Sequence, residues 1–487
     1  MIEMAGKGWD KRVGGGLQLT MNFSKRTGGS VLKAVRILVL LTMLFLFLPF
    51  PCPGAAMFEN ASEARLSNGL KVIMLENHKA PIVCFQVWYR VGAAKETTGK
   101  TGLAHLLEHM MFKGVGRMSG EKFIEKVHES GGMENAATSY NYTCYYETLP
   151  SNRIGVAIRF EAHRMRNLKI EESDFRTERM VVLEERRMRI DDNPSSFLLE
   201  QVYAAAFQSE PYHWPVLGWS DDLRRLTIAD VRAFYSKYYD PANAFIVVTG
   251  DFKKEKLLPR LEKAFGKIPR GQPAQHFLIE DPPQQGVRMV VLRRPAQVGR
   301  LVVAWHVPNL RSDDGYVLEV IKAILSSGKS SRLFDDLVRR QAVALQASAH
   351  YDLTSRDPGL FYISASFLPE KGPGEVEGAI YDELELLKKT PVGAWELQKA
   401  KNQLEASFVF GQESILSLGL KLGEYETALD WASISAYIPS IRSVTARDVQ
   451  RVAAKYFTAQ NRTVGILIPS APAKTVAPPT PPSGGSD

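Results

Sequence analysis

The chain has 487 residues, of which 45% are hydrophobic and 23% are charged. This composition is ordinary for a globular protein and lies far from the disordered and fibrous classes. The length predicts two or three domains.

The formal net charge of +8 is concentrated near the N-terminus. Residues 1–56 contain seven basic and two acidic residues (+5), whereas the rest of the chain contains 54 basic and 51 acidic residues (+3). After the leader, no Lys- and Arg-dense stripe interleaved with aromatic residues remains. The sequence therefore predicts no nucleic-acid partner.

Residues 1–56 have the pattern of a signal peptide or N-terminal leader. Basic residues at positions 25–36 precede the apolar run Ile37–Phe50, and the small residues Gly54, Ala55 and Ala56 follow it. We expect export to the periplasm or secretion, with cleavage near Ala56. The run has 14 residues, and a membrane-spanning helix needs about 20. An uncleaved leader that anchors the chain is the alternative, and only such a leader would bring the chain into contact with a membrane.

The chain has three cysteines, and one of them, Cys52, lies in the leader. The other two, Cys84 and Cys144, fall in strand-like segments. An exported compartment would permit a disulfide, but we predict two buried free thiols. No CxxC pair is present, so zinc binding through cysteine is not expected.

The first half of the remaining chain mixes strand and helix patterns. Ala64–Glu76 contains the hairpin signal Ser-Asn-Gly, and Ile82–Val91 is rich in β-branched and aromatic residues. Further strands are predicted within 135–149 and 239–250. Helical segments are predicted at 102–112, 120–130, 155–167 and 171–189. This mixture, with antiparallel hairpins, predicts an α+β fold.

A second half with a similar pattern follows the Pro-, Gly- and Gln-rich segment Lys267–Gln285, which is a candidate domain boundary. Strands are predicted at 289–292 and 299–305, and a helix at 316–325. Trp88 and Trp305 are predicted to occupy equivalent positions. The second half thus resembles a degenerate copy of the first, without histidines at the corresponding place.

A candidate metal site lies in the segment GLAHLLEHMMFKG, residues 102–114. His105 and His109 differ by only about 40° around a helix, so both imidazoles leave one face. Glu108 lies about 60° to the other side of His105, where a carboxylate can hold a metal's water. HxxEH is the inverted form of the zincin motif. The alternative is a helix that packs both histidines for structural reasons.

A third ligand is expected from the helical segment 171–189. Glu178 and Glu185 are seven residues apart and fall within about 20° of each other, whereas Glu184 is rotated by about 100° and is expected to face water or a basic neighbour. The alternative is that these glutamates form a solvated face, and it is retained for Glu171, Glu172 and Glu184. The apolar pair Val181–Val182 argues against it for Glu185.

Five motifs together resemble the pitrilysin/insulinase-like (M16, inverzincin) family of zinc peptidases, which includes bacterial members and the mitochondrial processing peptidases. The resemblance covers about Ala64–Leu467. The motifs are HLLEHMMFKG, GGMENAATSYNYTCYYETLP, ERMVVLEERRM, YHWPVLG and YYDPANAFIVVTGD.

This resemblance implies a metal site and a substrate site. Zinc would be bound by His105, His109 and Glu185. Glu108 would be the catalytic base, and Glu178 would support the site. The resemblance also implies that the edge strand around Asn135 and Ala136 pairs with the substrate backbone; an ordinary hairpin strand is the alternative.

The same resemblance implies two homologous α+β domains, each a largely antiparallel sheet covered by helices. We predict a zinc-binding catalytic domain at 57–268, a linker at 269–285, a C-terminal homologous domain without metal at 286–469, and a disordered Pro-rich tail at 470–487. Two chains, or two halves, would enclose a chamber that admits peptides or unfolded segments.

One feature of the family is missing. Members usually carry an Arg and a Tyr, seven residues apart, in the C-terminal domain, and here Val338 and Leu345 occupy those positions. Either a homologous subunit supplies the pair in a heterodimer, or the chain acts alone, also as a homodimer, with weakened catalysis. The heteromer is the preferred hypothesis.

Two other functions remain as alternatives. A non-catalytic scaffold subunit of the family would typically lose HxxEH, which is present here. A secreted binding protein with structural zinc would need a fourth protein ligand that closes the site, and no spacing in the sequence indicates one.

Overall fold

The computed structural model describes residues 58–115, 118–274, 279 and 281–470. The predicted leader and the predicted Pro-rich tail beyond Ser470 lie outside these residues, so both remain predictions. Among the described residues, no helix combines the length and the apolar character needed to cross a membrane.

The described residues form thirteen strands. Their bounds are β1 Ala61–Arg65, β2 Lys71–Glu76, β3 Ile82–Tyr89, β4 Gly114–Val115, β5 Met118–Ser119, β6 Met133–Thr138, β7 Thr143–Pro150, β8 Ala244–Gly250, β9 Arg288–Pro295, β10 Gly299–Val307, β11 Gln346–His350, β12 Gly359–Phe367 and β13 Arg462–Ser470.

The same residues form fourteen α-helices. Their bounds are α1 Leu103–Met110, α2 Gly120–Glu129, α3 Gly155–Asn167, α4 Glu172–Arg186, α5 Pro194–Ala206, α6 Ser220–Arg225, α7 Ile228–Tyr238, α8 Lys254–Phe265, α9 Asp313–Ser326, α10 Gly372–Lys389, α11 Ala394–Phe410, α12 Ile415–Ala428, α13 Tyr437–Ser443 and α14 Ala446–Tyr456.

The two large sheets have the same plan. The first has the order β1-β2-β8-β3-β7-β6, and the second, taken from β9, has the order β9-β13-β10-β12-β11. Each sheet contains one parallel pair, β2 with β8 and β9 with β13, while the other pairs are antiparallel. The predicted α+β class and the predicted internal repeat are therefore confirmed.

The strand register shows that Trp88 and Trp305 do not occupy equivalent positions. Asn243 and Asn461 each precede a central strand and donate the side-chain amide to the carbonyl five residues earlier. The residue after Asn243 pairs with Tyr89, and the residue after Asn461 pairs with Trp305. Trp305 thus corresponds to Tyr89, and the predicted equivalence with Trp88 is wrong by one residue. A shift of one residue moves a side chain to the opposite face of the sheet.

Each sheet is covered on one face by a helix from the other half of the chain. α5, from the first half, packs on β13, β9 and β10, whereas α12, from the second half, packs on β8 and β3. On α12, Gly423 faces Trp88 so closely that an added Cβ would lie 2.1 Å from the indole ring. Trp88 is therefore held between the two halves, which interlock through these helices.

This contact predicts a destabilising substitution. We expect Gly423→Ala to lower the free energy of unfolding by about 1–3 kcal/mol, because the new methyl group would overpack against the buried Trp88 ring. Gly378, on the exposed side of α10, has no atom within 4 Å of an added Cβ. The control Gly378→Ala should raise the free energy of unfolding by about 0.5–1 kcal/mol. Urea unfolding of both variants measures the difference, and equal effects would contradict the packing argument.

The structure also tests the predicted thiols and one predicted helix. Cys84 and Cys144 are free and buried, as predicted. The segment predicted as one helix to Arg189 is α-helical only to Arg186 and continues as a wider π-helical turn over Arg187–Asp191. Pro194 begins the next helix, and the residue before a proline disfavours helical backbone, so the chain must leave the helix there.

Candidate metal centre

The N-terminus of α1 is held by a buried carboxylate that the sequence did not reveal. Gly102 caps this helix with φ of 86°, a conformation that favours glycine. Both oxygens of Glu96 accept hydrogen bonds at 2.7 Å, one from the Gly102 N–H and one from the Ala104 N–H. Burial raises the pKa of Glu96 well above its usual value, against the effect of these two donors. The start of the helix that carries HxxEH is thereby fixed.

The structure brings together the three predicted metal ligands. His105, His109 and Glu185 each direct one possible ligand atom to a common place, and these atoms lie within 4.8 Å of one another. Glu185 Oε2 lies 3.7 Å from His105 Nε2 and 3.3 Å from His109 Nε2. α1 supplies the imidazoles and α4 supplies the carboxylate, and the two helices pack together.

Glu178 lies behind His109, away from this cluster. Its Oε2 lies 3.0 Å from His109 Nδ1, and its Oε1 lies 2.6 Å from Lys113 Nζ. Burial raises the pKa of Glu178, but these two partners outweigh burial and lower it. A carboxylate at Nδ1 orients a histidine and leaves Nε2 free to bind a metal.

Glu185 is held from its other side by Arg189. The guanidinium Nη1 lies 2.9 Å from Glu185 Oε1, so Oε2 faces the imidazoles. Glu184 is exposed and pairs with Arg187, as the helical phase predicted. Arg189 and Lys113 were not predicted from the sequence. Each follows a site residue by four positions, a spacing at which helical side chains meet.

The two imidazoles differ in their tendency to take a proton. Burial lowers the pKa of His105 to about 3, and the charges of His109 and Arg189 act in the same direction. Burial also lowers the pKa of His109, but the hydrogen bond to Glu178 and the nearby carboxylates outweigh it, and the net shift is upward. His105 is thus held in the neutral form that binds metals.

Glu108 lies at the same site without joining the three converging atoms. Its Oε2 accepts a hydrogen bond of 2.5 Å from Thr138 Oγ1, at the end of β6. Burial raises the pKa of Glu108, against the effect of this hydrogen bond. A raised carboxylate pKa suits a general base and acid near neutral pH. Thr138 was not foreseen, because only the fold brings it to Glu108.

The residues fit a zinc ion. Two imidazole nitrogens and one carboxylate oxygen form the donor set of hydrolytic zinc sites, which keep one position open. The cluster opens into a cleft of about 820 Å³ that also borders Phe112, Val216 and Leu217. Among the described residues, no fourth His, Cys, Asp or Glu joins the cluster.

The predicted substrate strand forms one wall of this cleft. Asn135 and Ala136 belong to β6, which lies at the edge of the first sheet and pairs on one side with β7. Within the described part of the chain, no strand pairs with its other side. Asn135 Oδ1 accepts a hydrogen bond of 2.8 Å from the Ala136 N–H.

No described residue of the second half of the chain lines the cleft. All described lining residues lie between His105 and Leu217. Val338 belongs to a π-helical segment of the second half, and Leu345 is 49% exposed shortly before β11. The structure therefore shows no contribution from these two positions to the candidate centre.

Comparisons with known proteins agree with this architecture. The family model for insulinase (peptidase family M16) matches residues 71–219, and the model for the peptidase M16 inactive domain matches residues 225–404. The zinc protease PqqE of Helicobacter pylori is 31% identical over 411 residues, which cover 83% of this chain and 92% of that protein. An uncharacterized zinc protease of Streptomyces coelicolor is 30% identical, over 80% of this chain and 85% of that protein.

Solved structures show the same relationship. The crystal structure of a protease from Helicobacter pylori matches with a TM-score of 0.81 and 30% identity, covering 84% of this chain and 99% of that one. The periplasmic protease PqqL from Escherichia coli matches in fold, with a TM-score of 0.70 and 18% identity. This match covers 88% of this chain and 52% of that one. The chain belongs to peptidase family M16.

Proposed function

We propose that this chain is a zinc-dependent metalloendopeptidase that hydrolyses peptides or unfolded segments. The observation that carries the proposal is the convergence of His105, His109 and Glu185 beside Glu108 in an open cleft. The names of the relatives as zinc proteases support it. A purely structural zinc would need a further ligand that closes the site.

The protein groups have separate tasks in this mechanism. His105, His109 and Glu185 would hold zinc, which supplies Lewis-acid polarisation of the scissile carbonyl and acidifies water. Glu108 accepts the proton of the attacking water and later delivers it to the leaving amine. Thr138 donates to Glu108 and fixes the direction of its carboxylate. Glu178 holds the His109 ring through Nδ1.

The substrate would add a strand to β6. Backbone hydrogen bonds along an open sheet edge bind an extended peptide independently of its sequence. The Ala136 N–H would give up its hydrogen bond to Asn135 Oδ1 and donate to a backbone carbonyl of the substrate instead. This arrangement would place the scissile peptide beside Glu108, and it suits unfolded chains because a folded segment cannot pair along an edge.

The surrounding assembly is also proposed. A homologous M16 subunit would supply the missing Arg and Tyr in a heterodimer, and the two chains would enclose a chamber. In a homodimer, which is the alternative, both copies would lack the pair. Residues 57–268 would act as the catalytic domain and 286–469 as the domain without metal, joined by 269–285. The leader would direct the chain to the periplasm or to secretion.

Metal analysis combined with peptide cleavage tests the proposal. The purified chain should contain about one zinc, as expected for a single three-ligand site, and should cleave an unfolded peptide. A chelator should stop the cleavage, and added zinc should restore it. Cleavage that survives complete removal of zinc would exclude the proposed chemistry, and so would full zinc occupancy in a His105→Ala/His109→Ala variant.

The position of Glu178 behind His109 predicts a partial loss of zinc affinity when its charge is removed. We expect Glu178→Gln to lower zinc affinity by about 10–100-fold, because the His109 ring loses its orienting carboxylate. Glu172 lies on the same helix but is exposed and pairs with Arg176, so Glu172→Gln should leave the affinity unchanged. Competition with a chromogenic zinc chelator measures the zinc affinity of both variants. An unchanged affinity in Glu178→Gln would remove Glu178 from the site.

A further inference from the structure

We propose that a groove between α3 and α8 binds the phosphate headgroup of an anionic phospholipid at a membrane surface. The two helices pack side by side. Phe265 of α8 contacts Phe85 of β3, whereas α12 contacts Gln86 and Trp88 on the other face of the same strand. The groove has a volume of about 530 Å³. It is separate from the cleft that holds His105 and Glu185, and no lining residue is shared.

The rim of the groove is strongly cationic. Arg159 and Arg166 line it from α3, and Arg260, Lys263 and Lys267 line it from α8 and the residues that follow. All five side chains are exposed. His163 also lines the groove, and none of its described lining residues is acidic.

No described acidic residue neutralises these five cations. None of them makes an ion pair with another residue in the described part of the chain. The nearby glutamates of the same helices serve other partners: Glu161 is buried against Arg164, and Glu262 accepts hydrogen bonds from Ser67. Five uncompensated charges repel one another, so an anion in the groove would be stabilised.

The size of the charged rim indicates a compact ligand. Arg159 and Arg166 are seven positions apart on α3, which corresponds to about 10 Å along the helix. Arg260 and Lys263 lie on α8, and Lys267 follows two residues after its end. Packed helices lie about 8–10 Å apart. Such a rim matches one or two phosphate groups and is too short to follow a nucleic-acid strand of several nucleotides.

The floor of the groove favours a lipid over a free anion. It is apolar and is formed by Ile158, Ala162, Ala264, Ile268 and Pro269. An amphiphile can place its phosphate at the cationic rim and its glycerol and first methylenes on this floor. The apolar run Ile37–Phe50 would bring the chain to a membrane during export, and anionic lipid surfaces attract Lys and Arg.

Titration of the full-length chain with dihexanoyl phosphatidylglycerol, kept below its micelle-forming concentration, tests the proposal by calorimetry. We expect binding that weakens at least about tenfold in the variant Arg166→Gln/Lys263→Gln/Lys267→Gln. The control Lys329→Gln/Lys389→Gln/Arg447→Gln removes the same charge from exposed positions of the second half and should bind as the parent does. Dihexanoyl phosphatidylcholine should not bind, and salt at about 0.5 M should weaken binding of the phosphatidylglycerol.

Four results would overturn the proposal: no binding of the anionic lipid, equal losses in the two triple variants, inorganic phosphate binding as tightly as the lipid, or a glutamate-rich peptide binding more tightly than it. Thermal unfolding checks that the groove variant is folded. If that variant unfolds, Lys263→Gln alone replaces it and should weaken binding by about threefold or more, since one Lys contributes roughly a factor of five at an anionic surface.

Discussion

Replacement of Glu108 by Gln is expected to reduce kcat/KM for peptide cleavage by about 10²–10⁴-fold, the range that a general base contributes. The amide keeps the size of the side chain and its contact with Thr138, but it cannot accept the proton of water. Zinc content should stay near that of the parent, because the three converging atoms belong to His105, His109 and Glu185.

Glu184→Gln is the matched control for this variant. Glu184 precedes a proposed ligand directly, yet it is exposed and pairs with Arg187 outside the cleft. Its replacement should change neither the zinc content nor the rate of cleavage. If zinc is lost together with activity in Glu108→Gln, Glu108 is a metal ligand and the proposed division of roles is wrong.

The second large effect is expected from a partner subunit. The purified chain alone should bind zinc but cleave peptides slowly, because the family resemblance implies an Arg and a Tyr at the positions that Val338 and Leu345 occupy, and because described residues of the second half do not line the cleft. A homologous subunit that carries this pair should raise kcat/KM by about 10²–10³-fold, the contribution of one donor to the transition state.

Co-purification from the source organism identifies the partner, and cleavage is then measured with and without it. A partner variant whose Tyr is changed to Phe serves as the control, since it should assemble but fail to stimulate. Full activity of the isolated chain, unchanged by any co-purifying protein, would contradict the heteromer and would assign all catalytic groups to one chain or its homodimer.

The part of the centre that lies on single helices was predictable from the sequence. The interval of four residues between His105 and His109 and the interval of seven between Glu178 and Glu185 fix which side chains share a helix face. The structure places each pair on one side of its helix and brings the two helices together. The α+β class and the repeat followed in the same way from the order of β-prone and helical segments.

Contacts between distant segments were not predictable in this way. Thr138 reaches Glu108 only because β6 packs beside α1, and Glu96 caps α1 from a preceding loop. The exchange of covering helices between the halves has no local signal. The error in the equivalence of Trp88 and Trp305 arose because aromatic residues suit either face of a strand, so the pattern alone could not fix the register.

The cationic groove was likewise not predictable from the sequence. Outside the leader the chain carries a balance of only +3. The segments 153–169, with five basic residues and one acidic residue, and 253–270, with seven and two, are locally basic but lie far apart in the sequence. Five cations come together only when α3 and α8 pack side by side and their acidic residues turn elsewhere. Composition therefore excluded a long basic stripe but gave no information on a compact cationic groove.

A crystal structure of the zinc-loaded chain, with the metal located by its anomalous scattering, would show whether the two imidazoles and the carboxylate hold the metal. We predict one zinc at this site, bound by Nε2 of His105, Nε2 of His109 and the carboxylate of Glu185, with one coordination position open to water. A zinc bound elsewhere, or Glu185 turned away with Arg189 and leaving the two imidazoles without a metal, would contradict the account.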